Sequence, residues 1–381
     1  TSACKAVAWN LHGAAVSSGR AAHSLSQPHP GWHEQDAEEW WTALKRALRE
    51  CLQDIDPGAV QGISLSIQRE TFVPVDDGGK PLRPAIVWMD TRASAQVTDL
   101  ASSLPDFQSL TGKRMSVNLI PPKWEWLKQH EPDVVAQTAQ LWDVHAYLAK
   151  KLTGKAITSH GCMGPTGILD LNTMQYAQPV LDTVALTDDM LPSLAAPGEI
   201  IGFVTTQAAA KTGILPGTPV FAGIGDGQAC GIGAGINTLG KSYLTLGTSV
   251  ISGTYAPNFL TDNAFRTMVS GENSYLLETV LLSGTYILDW YLQTLLKETA
   301  SLTELTEQAA QLPPGAEGLV VLPYWNSALN PYWDADARGV ILGWRGIHTQ
   351  AHVFRAMLEG IAFEQRLHTE GVEKALGDEI D

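Results

Sequence analysis

Several features are scarce in this sequence of 381 residues, and each absence excludes a class of protein. There are only four cysteines and no Cys-x-x-Cys pair, which argues against a disulfide framework and a zinc site. Apolar residues never run for about 18 positions, so no transmembrane helix is predicted. The first residues also lack the charged and apolar regions of a signal peptide. We therefore expect a soluble protein of the reducing cytoplasm.

Basic residues are outnumbered as well. The chain has 25 Lys and Arg against 40 Asp and Glu, for a net charge of −15. A protein this acidic repels the phosphate backbone, so no nucleic-acid partner is expected. Small molecules are the better partner class. The length is enough for two domains with cores of their own.

Strand and helix patterns alternate along the chain as in an α/β protein. Residues 6–16 predict an opening hairpin. Residues 36–51 predict a helix whose start matches a capping box of Asp36 and Glu39. Residues 63–67 alternate as a strand, and residues 353–361 have the pattern of an amphipathic helix.

The most informative stretch runs from Gly223 to Gly253. A short apolar strand at 220–222 leads into a glycine turn, then Asp226, then a predicted helix at 228–236. A carboxylate there can accept a proton, and a helix N-terminus favours bound anions. Asp226 could equally be only the N-cap of that helix.

A second glycine turn follows within the same stretch. Residues 242–246 and 250–252 read as two strands joined by Gly247, Thr248 and Ser249. Backbone N–H groups and hydroxyls in such a turn suit phosphate, although hairpin turns without a ligand are far commoner. A base next to a phosphate turn suggests phosphoryl transfer.

Polar clusters follow two of the early strands. Gln68, Arg69 and Glu70 come after the strand at 63–67, and Asp90 lies just after an apolar run that ends at Trp88. In open α/β sheets, ligands bind at the carboxyl ends of the strands. His29 and His33 are four residues apart, but Pro28 and Pro30 prevent a helix there, so a loop is expected instead of a metal pair.

Eight ordered segments resemble the FGGY family of carbohydrate kinases. They are Gln35-Asp36 with Trp40-Trp41, GISLSIQRE (62–70), KPLRPAIVWMDTR (80–92), TGILDL (166–171), GIGDGQ (223–228), YLTLGTS (243–249), NPYWDADARGVILG (330–343) and FRAMLEGIAFE (354–364). The resemblance spans the whole chain. It implies an α/β, two-lobed actin-like ATPase (ribonuclease H-like) fold, with ATP and magnesium in the cleft. We place a sugar-binding lobe at 1–236 and a nucleotide-binding lobe at 237–381.

The resemblance also implies roles for individual residues on the sugar side. Asp226 matches the family's catalytic base, which takes the proton of the sugar hydroxyl as it attacks the γ-phosphate. The matching sugar-pocket positions are Gln68, Arg69, Glu70, Trp88, Asp90 and Asn118, with Gly227 standing where relatives carry Asn or Gln. Two alternatives stay open: Trp88 as a core aromatic, and Arg69 with Glu70 as a surface ion pair.

On the nucleotide side, the resemblance points to two turns and one further segment. Gly247, Thr248 and Ser249 match the second phosphate turn, Thr1 and Ser2 match the end of the first, Lys5 matches a basic position beyond it, and Gly284 and Asp289 match a nucleoside-contacting segment. A helix N-terminus would explain Gly284 almost as well. No residue here is assigned as a metal ligand, because the acidic residue that relatives link to magnesium precedes Thr1.

The sequence departs from the family in extent. It begins inside the first phosphate loop and stops before the glycine-rich adenine segment, so we expect a chain that is incomplete at both ends. The expected partners are ATP and a ketose, with xylulose first and ribulose or glycerol behind, and a homodimer is left open. A single Gln or Arg in a site that recognises hydroxyls can change which of these substrates is preferred. A non-catalytic actin-like sugar sensor is the alternative from a different class.

Overall fold

A computed structural model describes residues 1–271, 274–297 and 299–380. The chain separates into two units by its internal contacts. The first unit comprises Thr1–Cys230 with Met268–Asn273, and the second comprises Gly231–Thr267 with Ser274–Asp381. The functional division predicted at residue 236 stays a prediction. No helix within the described ranges is long and apolar enough to cross a membrane.

The first unit mixes short strands with helices of up to four turns. Its strands are β1 Ala3–Trp9, β2 Ala15–Ala22, β3 Glu34–Gln35, β4 Ile63–Ser64, β5 Phe72–Val75, β6 Ala85–Ile86, β7 Gln140–Asp143, β8 Ile157–Ser159, β9 Leu169–Asp170, β10 Gln175–Tyr176, β11 Ser193–Ala195, β12 Ile200–Phe203 and β13 Pro219–Phe221. Its helices are α1 Ala37–Cys51, α2 Ser94–Ser103, α3 Phe107–Thr111, α4 Ile120–His130, α5 Pro132–Gln137, α6 Val144–Thr153, α7 His160–Met163, α8 Gln178–Val184, α9 Thr206–Thr212 and the first half of α10 Asp226–Gly233.

Helix α1 shows how the sequence pattern becomes packing. Its apolar face is buried on β1 and β2, which form the predicted antiparallel hairpin. Asp36 caps the helix, because its side chain accepts from the N–H of Glu38. The predicted capping box is wrong in its second half: the carboxylate of Glu39 accepts from the backbone and hydroxyl of Ser24 instead.

A three-stranded sheet in the order β12-β13-β4 brings the polar clusters together. Strands β13 and β4 run parallel, and Ile67 then pairs with Gly225 through a single parallel bridge. The strand expected over residues 63–67 is therefore shorter than predicted. Because the two segments end side by side, the residues after Ile67 and those after Gly225 lie next to each other.

The second unit is built on a four-stranded sheet. Its elements are β14 Ser242–Leu246, β15 Val250–Ala256, β16 Arg266–Val269, β17 Tyr275–Leu281, α11 Tyr286–Trp290, a π-helical turn at Tyr291–Leu295, α12 Leu302–Ala310, β18 Val320–Leu322, β19 Val340–Leu342 and α13 Gln350–Leu376. The last two residues of β16, Met268 and Val269, are counted in the first unit. The sheet order is β14-β15-β17-β16, and β14 and β15 form the predicted hairpin. Helix α13 extends the amphipathic helix expected at 353–361, with Phe354 and Met357 in the core.

Candidate active site

Asp226 stands at the first position of α10, directly after a glycine loop. Its N–H donates to the carbonyl of Ile67 (2.9 Å), and the N–H of Ile67 donates to the carbonyl of Ile224 (3.2 Å). The side chain is 65% exposed, and Oδ1 accepts from the N–H of Gly227 (2.9 Å). Nε of Arg69 lies 3.7 Å from the same oxygen. An exposed carboxylate beside a fixed cation can take a proton from an alcohol that arrives from solvent.

Two glycines in the loop before Asp226 have no room for a side chain. A Cβ on Gly223 would lie 1.8 Å from the carbonyl oxygen of Leu65, and a Cβ on Gly225 would lie 2.5 Å from the side chain of Arg69. The neighbour of Gly223 is backbone and cannot move aside, so glycine is required there. The spacing of glycines in the sequence therefore reflects a backbone that passes directly against its neighbours.

His145 and Ser159 hold both backbone groups of Gly223. Its N–H donates to Nε2 of His145 (3.0 Å), and the hydroxyl of Ser159 donates to its carbonyl. Nδ1 of His145 faces the carbonyl of Ile157 (3.1 Å), so Nδ1 carries the proton and Nε2 is the acceptor. Burial lowers the pKa of His145. A neutral imidazole therefore anchors the loop that leads into α10, and nothing in the local sequence signalled this.

Gln68, Arg69 and Glu70 follow directly from the bridge between Ile67 and Gly225. The side chain of Arg69 is 11% exposed, and Glu70 is 5% exposed. This burial argues against the alternative in which both residues lie at the surface. Glu70 also has φ of 59°, a left-handed conformation that non-glycine residues seldom adopt and that concentrates at functional sites.

Trp88 and Asn118 meet although 30 positions separate them in the sequence. Nδ2 of Asn118 donates to the carbonyl of Trp88 (3.0 Å), and the indole N–H of Trp88 donates to the hydroxyl of Thr1 (3.2 Å). Trp88 is half-buried, unlike the core aromatics of this unit. That exposure disfavours the core-aromatic alternative and leaves part of the indole open to a ligand.

Asp90 does not fit its expected role as an acceptor for sugar hydroxyls. It is fully buried, and Oδ1 accepts from the backbone N–H (3.0 Å) and Nε (2.9 Å) of Arg92. Oδ2 accepts from the N–H of His33 (2.6 Å) and Nη2 of Arg92 (2.8 Å). Four donors fill the capacity of a carboxylate. In this geometry Asp90 orders the segment after Trp88 instead of reaching a ligand.

Lys123 is a buried cation that sequence reasoning missed. Its Nζ donates to the carbonyls of Asn118 (2.8 Å), Val87 (3.0 Å) and Trp88 (3.1 Å), so all three ammonium protons are used. Burial lowers the pKa of Lys123 to about 7. The only signal in the sequence is a charged residue inside the apolar first turn of α4. Lys123 ties together the two segments that carry Trp88 and Asn118.

The second unit holds the predicted phosphate turn. Gly247, Thr248 and Ser249 connect β14 to β15, and the N–H of Gly247 donates to the carbonyl of Ser249 (3.1 Å). The N–H of Thr285 donates to the carbonyl of Gly247 (2.8 Å), and the hydroxyl of Ser249 donates to the carbonyl of Leu282 (3.2 Å). Thr248 is exposed. The turn therefore packs on the segment before α11 and directs Thr248 outward.

Gly284 lies under that turn, and Asp289 lies farther along. A Cβ on Gly284 would come within 2.6 Å of the carbonyl oxygen of Gly247 and 2.9 Å of the carbonyl carbon of Ser249. Gly284 thus allows the close approach of two backbones, which explains it better than a helix start alone. Asp289 is exposed on α11, where its N–H donates to the carbonyl of Thr285 (3.1 Å). A nucleoside contact for Asp289 stays a prediction.

The remaining predicted nucleotide residues are in the first unit. Thr1 and Ser2 precede β1, and the carbonyl of Thr1 accepts from Nε2 of Gln35 (2.6 Å). Lys5 is exposed on β1, paired in register with Arg20. The structure places Thr1 against Trp88 and Gln35, beside the predicted sugar residues. Phosphate contacts for these residues stay predictions.

The chain is similar to known proteins over most of its length. Two domain descriptions match: "FGGY family of carbohydrate kinases, N-terminal domain" over residues 1–233, and the C-terminal domain of the same family over residues 242–381. Xylulose kinase of Bacillus subtilis (strain 168) is 30% identical over 372 residues, covering 95% of this chain and 74% of that protein.

Solved structures resemble the chain over nearly its full length. The xylulose kinase from Rhodospirillum rubrum matches with a TM-score of 0.93 at 27% identity, covering 99% of this chain and 78% of that one. The Plasmodium falciparum glycerol kinase with ADP matches with a TM-score of 0.89 at 25% identity, covering 100% of this chain and 78% of that one. The predicted two-domain α/β fold is confirmed.

Proposed function

Because this chain belongs to the FGGY family of carbohydrate kinases, we propose that it transfers the γ-phosphoryl group of ATP to a hydroxyl of a ketose, with xylulose as the first candidate. Sugar phosphorylation with ATP is the activity of the family. Xylulose kinases at about 30% identity over 95% of the chain support the choice of a ketopentose.

The observation that carries the mechanism is the setting of Asp226. Its carboxylate is exposed at the start of α10, next to Arg69 and the segment that follows Ile67. The backbone bonds to Ile67 and the anchor at Gly223 fix where the carboxylate stands. A base that is already held in place loses little freedom when the reaction occurs.

The chemistry assigned to Asp226 is proton acceptance. The sugar hydroxyl oxygen forms a bond to the γ-phosphorus, the bond from that phosphorus to the β,γ-bridging oxygen breaks, and ADP leaves. The hydroxyl proton passes to Asp226. Arg69 orients the carboxylate and balances its charge before the proton arrives.

The other site residues divide by unit. In the first unit Gln68, Arg69, Glu70, Trp88 and Asn118 surround the sugar, and Gly227 leaves space beside the base. In the second unit Thr248 and the turn around it face the phosphates. Magnesium in proteins is commonly held by one or two carboxylates together with substrate phosphates. No residue of this chain is assigned to magnesium; bound together with ATP, the ion would neutralise phosphate charge.

Replacing the base gives the direct test. For Asp226→Asn we expect turnover to fall at least about 100-fold, while sugar binding measured by calorimetry changes by less than about 1 kcal/mol. Asp133→Asn is a matched control, because Asp133 is also an exposed aspartate in the first turn of a helix. Retained turnover in Asp226→Asn would remove Asp226 from this role.

The substrate is tested separately. ADP release from the protein is measured over xylulose, ribulose, other ketoses and glycerol, with xylulose expected to give the highest kcat/KM. Activity with glycerol alone would move the assignment to a polyol kinase. Sugar binding without any ADP release would favour the sugar sensor.

The same preparation tests by light scattering whether the protein is a homodimer. The four free cysteines suit the cytoplasm, which we propose as its location.

A further inference from the structure

A short chain of side-chain hydrogen bonds leads to Gln68 in the first unit. The indole N–H of Trp40 donates to Oε1 of Gln35 (3.0 Å), and Nε2 of Gln68 donates to the same oxygen (2.6 Å). Nε2 of Gln35 donates to the carbonyl of Thr1 (2.6 Å). Gln35 and Trp40 are both buried, at 2% and 3% exposure.

These contacts permit only one orientation of each amide. The indole of Trp40 can only donate, so the atom of Gln35 that faces it must be the oxygen. The carbonyl of Thr1 can only accept, which independently places the nitrogen of Gln35 on its other side. Because Gln35 presents an oxygen to Gln68, the atom of Gln68 that faces it must be the nitrogen.

The fixed amide of Gln68 leaves its oxygen without a donor. Oε1 of Gln68 is a buried atom with no hydrogen-bond partner in the described part of the chain. A buried acceptor left in this way costs free energy unless a ligand or water supplies the missing N–H or O–H. The hydrogen bonds that join Trp40, Gln35 and Gln68, called the relay below, therefore present an acceptor at Oε1 of Gln68 and never a donor.

The position of Gln68 connects this acceptor to the reaction. Gln68 directly follows Ile67, whose carbonyl accepts the N–H of Asp226. Its other neighbour, Arg69, faces the carboxylate of Asp226. Both sequence neighbours of Gln68 therefore contact Asp226, which places Gln68 in the segment beside the proposed base.

We propose that Gln35 is a positioning residue that turns Gln68 so that its Oε1 accepts a hydrogen bond from one sugar hydroxyl, making Gln68 a specificity-determining residue. This inference rests on the proposed sugar kinase function. It adds the direction of the hydrogen bond, in which the sugar hydroxyl donates and Oε1 of Gln68 accepts. A sugar that lacks this hydroxyl, or carries a methyl ether in its place, should therefore be a poorer substrate.

The first experiment pairs Gln68→Met with a set of monodeoxy analogues of the sugar that the wild type phosphorylates. Loss of one neutral hydrogen bond should raise KM for the intact sugar about 3- to 10-fold, with kcat within about threefold. For one analogue, wild type and Gln68→Met should have equal kcat/KM, because sugar and protein each lose the same bond. For the other analogues, the difference between the two proteins should persist.

Gln96→Met provides a matched control. Gln96 is also a buried glutamine whose Nε2 donates to another glutamine, Gln129 (2.8 Å), and whose Oε1 has no partner in the described part of the chain. It lies on α2, away from Ile67 and Asp226 in the sequence. Its replacement should affect thermal stability by a similar amount and leave the kinetic constants for every analogue unchanged.

The relay itself is tested at Gln35. Gln35→Leu removes the oxygen that holds Gln68, so it should reproduce the KM rise and lose the selectivity for one analogue. Gln35→Glu keeps an acceptor for Trp40 and Gln68, so it should restore that selectivity even where thermal unfolding shows a loss of stability. This rescue would not follow if Gln35 only filled space.

The outcomes separate this inference from the proposed function. If the wild type phosphorylates no sugar, the kinase proposal itself fails. If it does, and Gln68→Met shifts all analogues equally or none, the acceptor faces only water and the inference is overturned. Should Gln68→Met not fold, the comparison of Gln35→Leu with Gln35→Glu decides the question alone.

Discussion

Gly284→Ala tests whether the turn in the second unit serves ATP. The added Cβ would stand 2.6 Å from the carbonyl oxygen of Gly247, 2.9 Å from the carbonyl carbon of Ser249 and 3.0 Å from Cγ2 of Val250. Two of these atoms are backbone, so no rotamer change relieves the contact. The turn must move, which strains the hydrogen bond from Thr285 to Gly247 (2.8 Å).

The size of the effect follows from the crowding. Forcing one extra methyl into a close-packed site costs typically about 1–3 kcal/mol. If about 2 kcal/mol of that appears as displacement of the turn from its phosphate-binding position, KM for ATP rises by about 30-fold. KM for the sugar should change less than about threefold, because the sugar residues belong to the first unit.

Steady-state kinetics with ATP and sugar varied in turn provide the assay. Gly346→Ala is the matched control, since a Cβ there meets no heavy atom within 4 Å and Gly346 lies in the same unit. It should leave both KM values unchanged. If Gly284→Ala folds and binds ATP as the wild type does, the turn at 247–249 does not hold the phosphates.

Three further predictions concern the supports of the site. Acidification should destabilise the wild type below about pH 6.5, because the lowered pKa of His145 makes the unfolded chain bind the proton first. In His145→Gln the side-chain oxygen can still accept the hydrogen bond from the N–H of Gly223, but this part of the pH dependence should disappear. Urea unfolding of both proteins at several pH values measures the difference. Lys123 acts with the same sign in a more alkaline range: with its pKa lowered to about 7 from 10.5, wild-type stability should rise with pH between these values, and Lys123→Met should flatten that rise in the same unfolding series. Asp90→Asn weakens a buried ion pair with Arg92 and should cost about 3–5 kcal/mol in chemical denaturation, so a loss below about 1 kcal/mol would contradict the positioning role.

Local patterns predicted those parts of the fold in which neighbours along the chain decide the structure. The period of apolar residues was enough for α1 and α13, and the glycine turn at 247–249 was enough for the β14–β15 hairpin. The capping box failed because Glu39 found a partner, Ser24, fifteen positions away. A four-residue sequence motif contains no information about a distant residue that binds the same carboxylate.

In the candidate site, too, some residues could be predicted from local motifs and others could not. Asp226 and the segment from Gln68 to Glu70 were predicted from ordered motifs, and the bridge from Ile67 to Gly225 brings them together. Asp90 was predicted as a sugar contact, but its oxygens are taken up by Arg92 and His33. Residue type alone does not tell which partner a carboxylate will have.

The sequence by itself determined the family, the α/β class with several of its strands and helices, and the presence of a carboxylate among glycines, because these are properties of short segments and of their spacing. Only the tertiary structure decided how that carboxylate is supported. His145 reaches Gly223 across 78 positions, Lys123 reaches Trp88 across 35, and Gln35 reaches Gln68 across 33. A hydrogen bond depends on distance and direction in space, and the folded chain sets both by bringing together segments that the sequence keeps far apart.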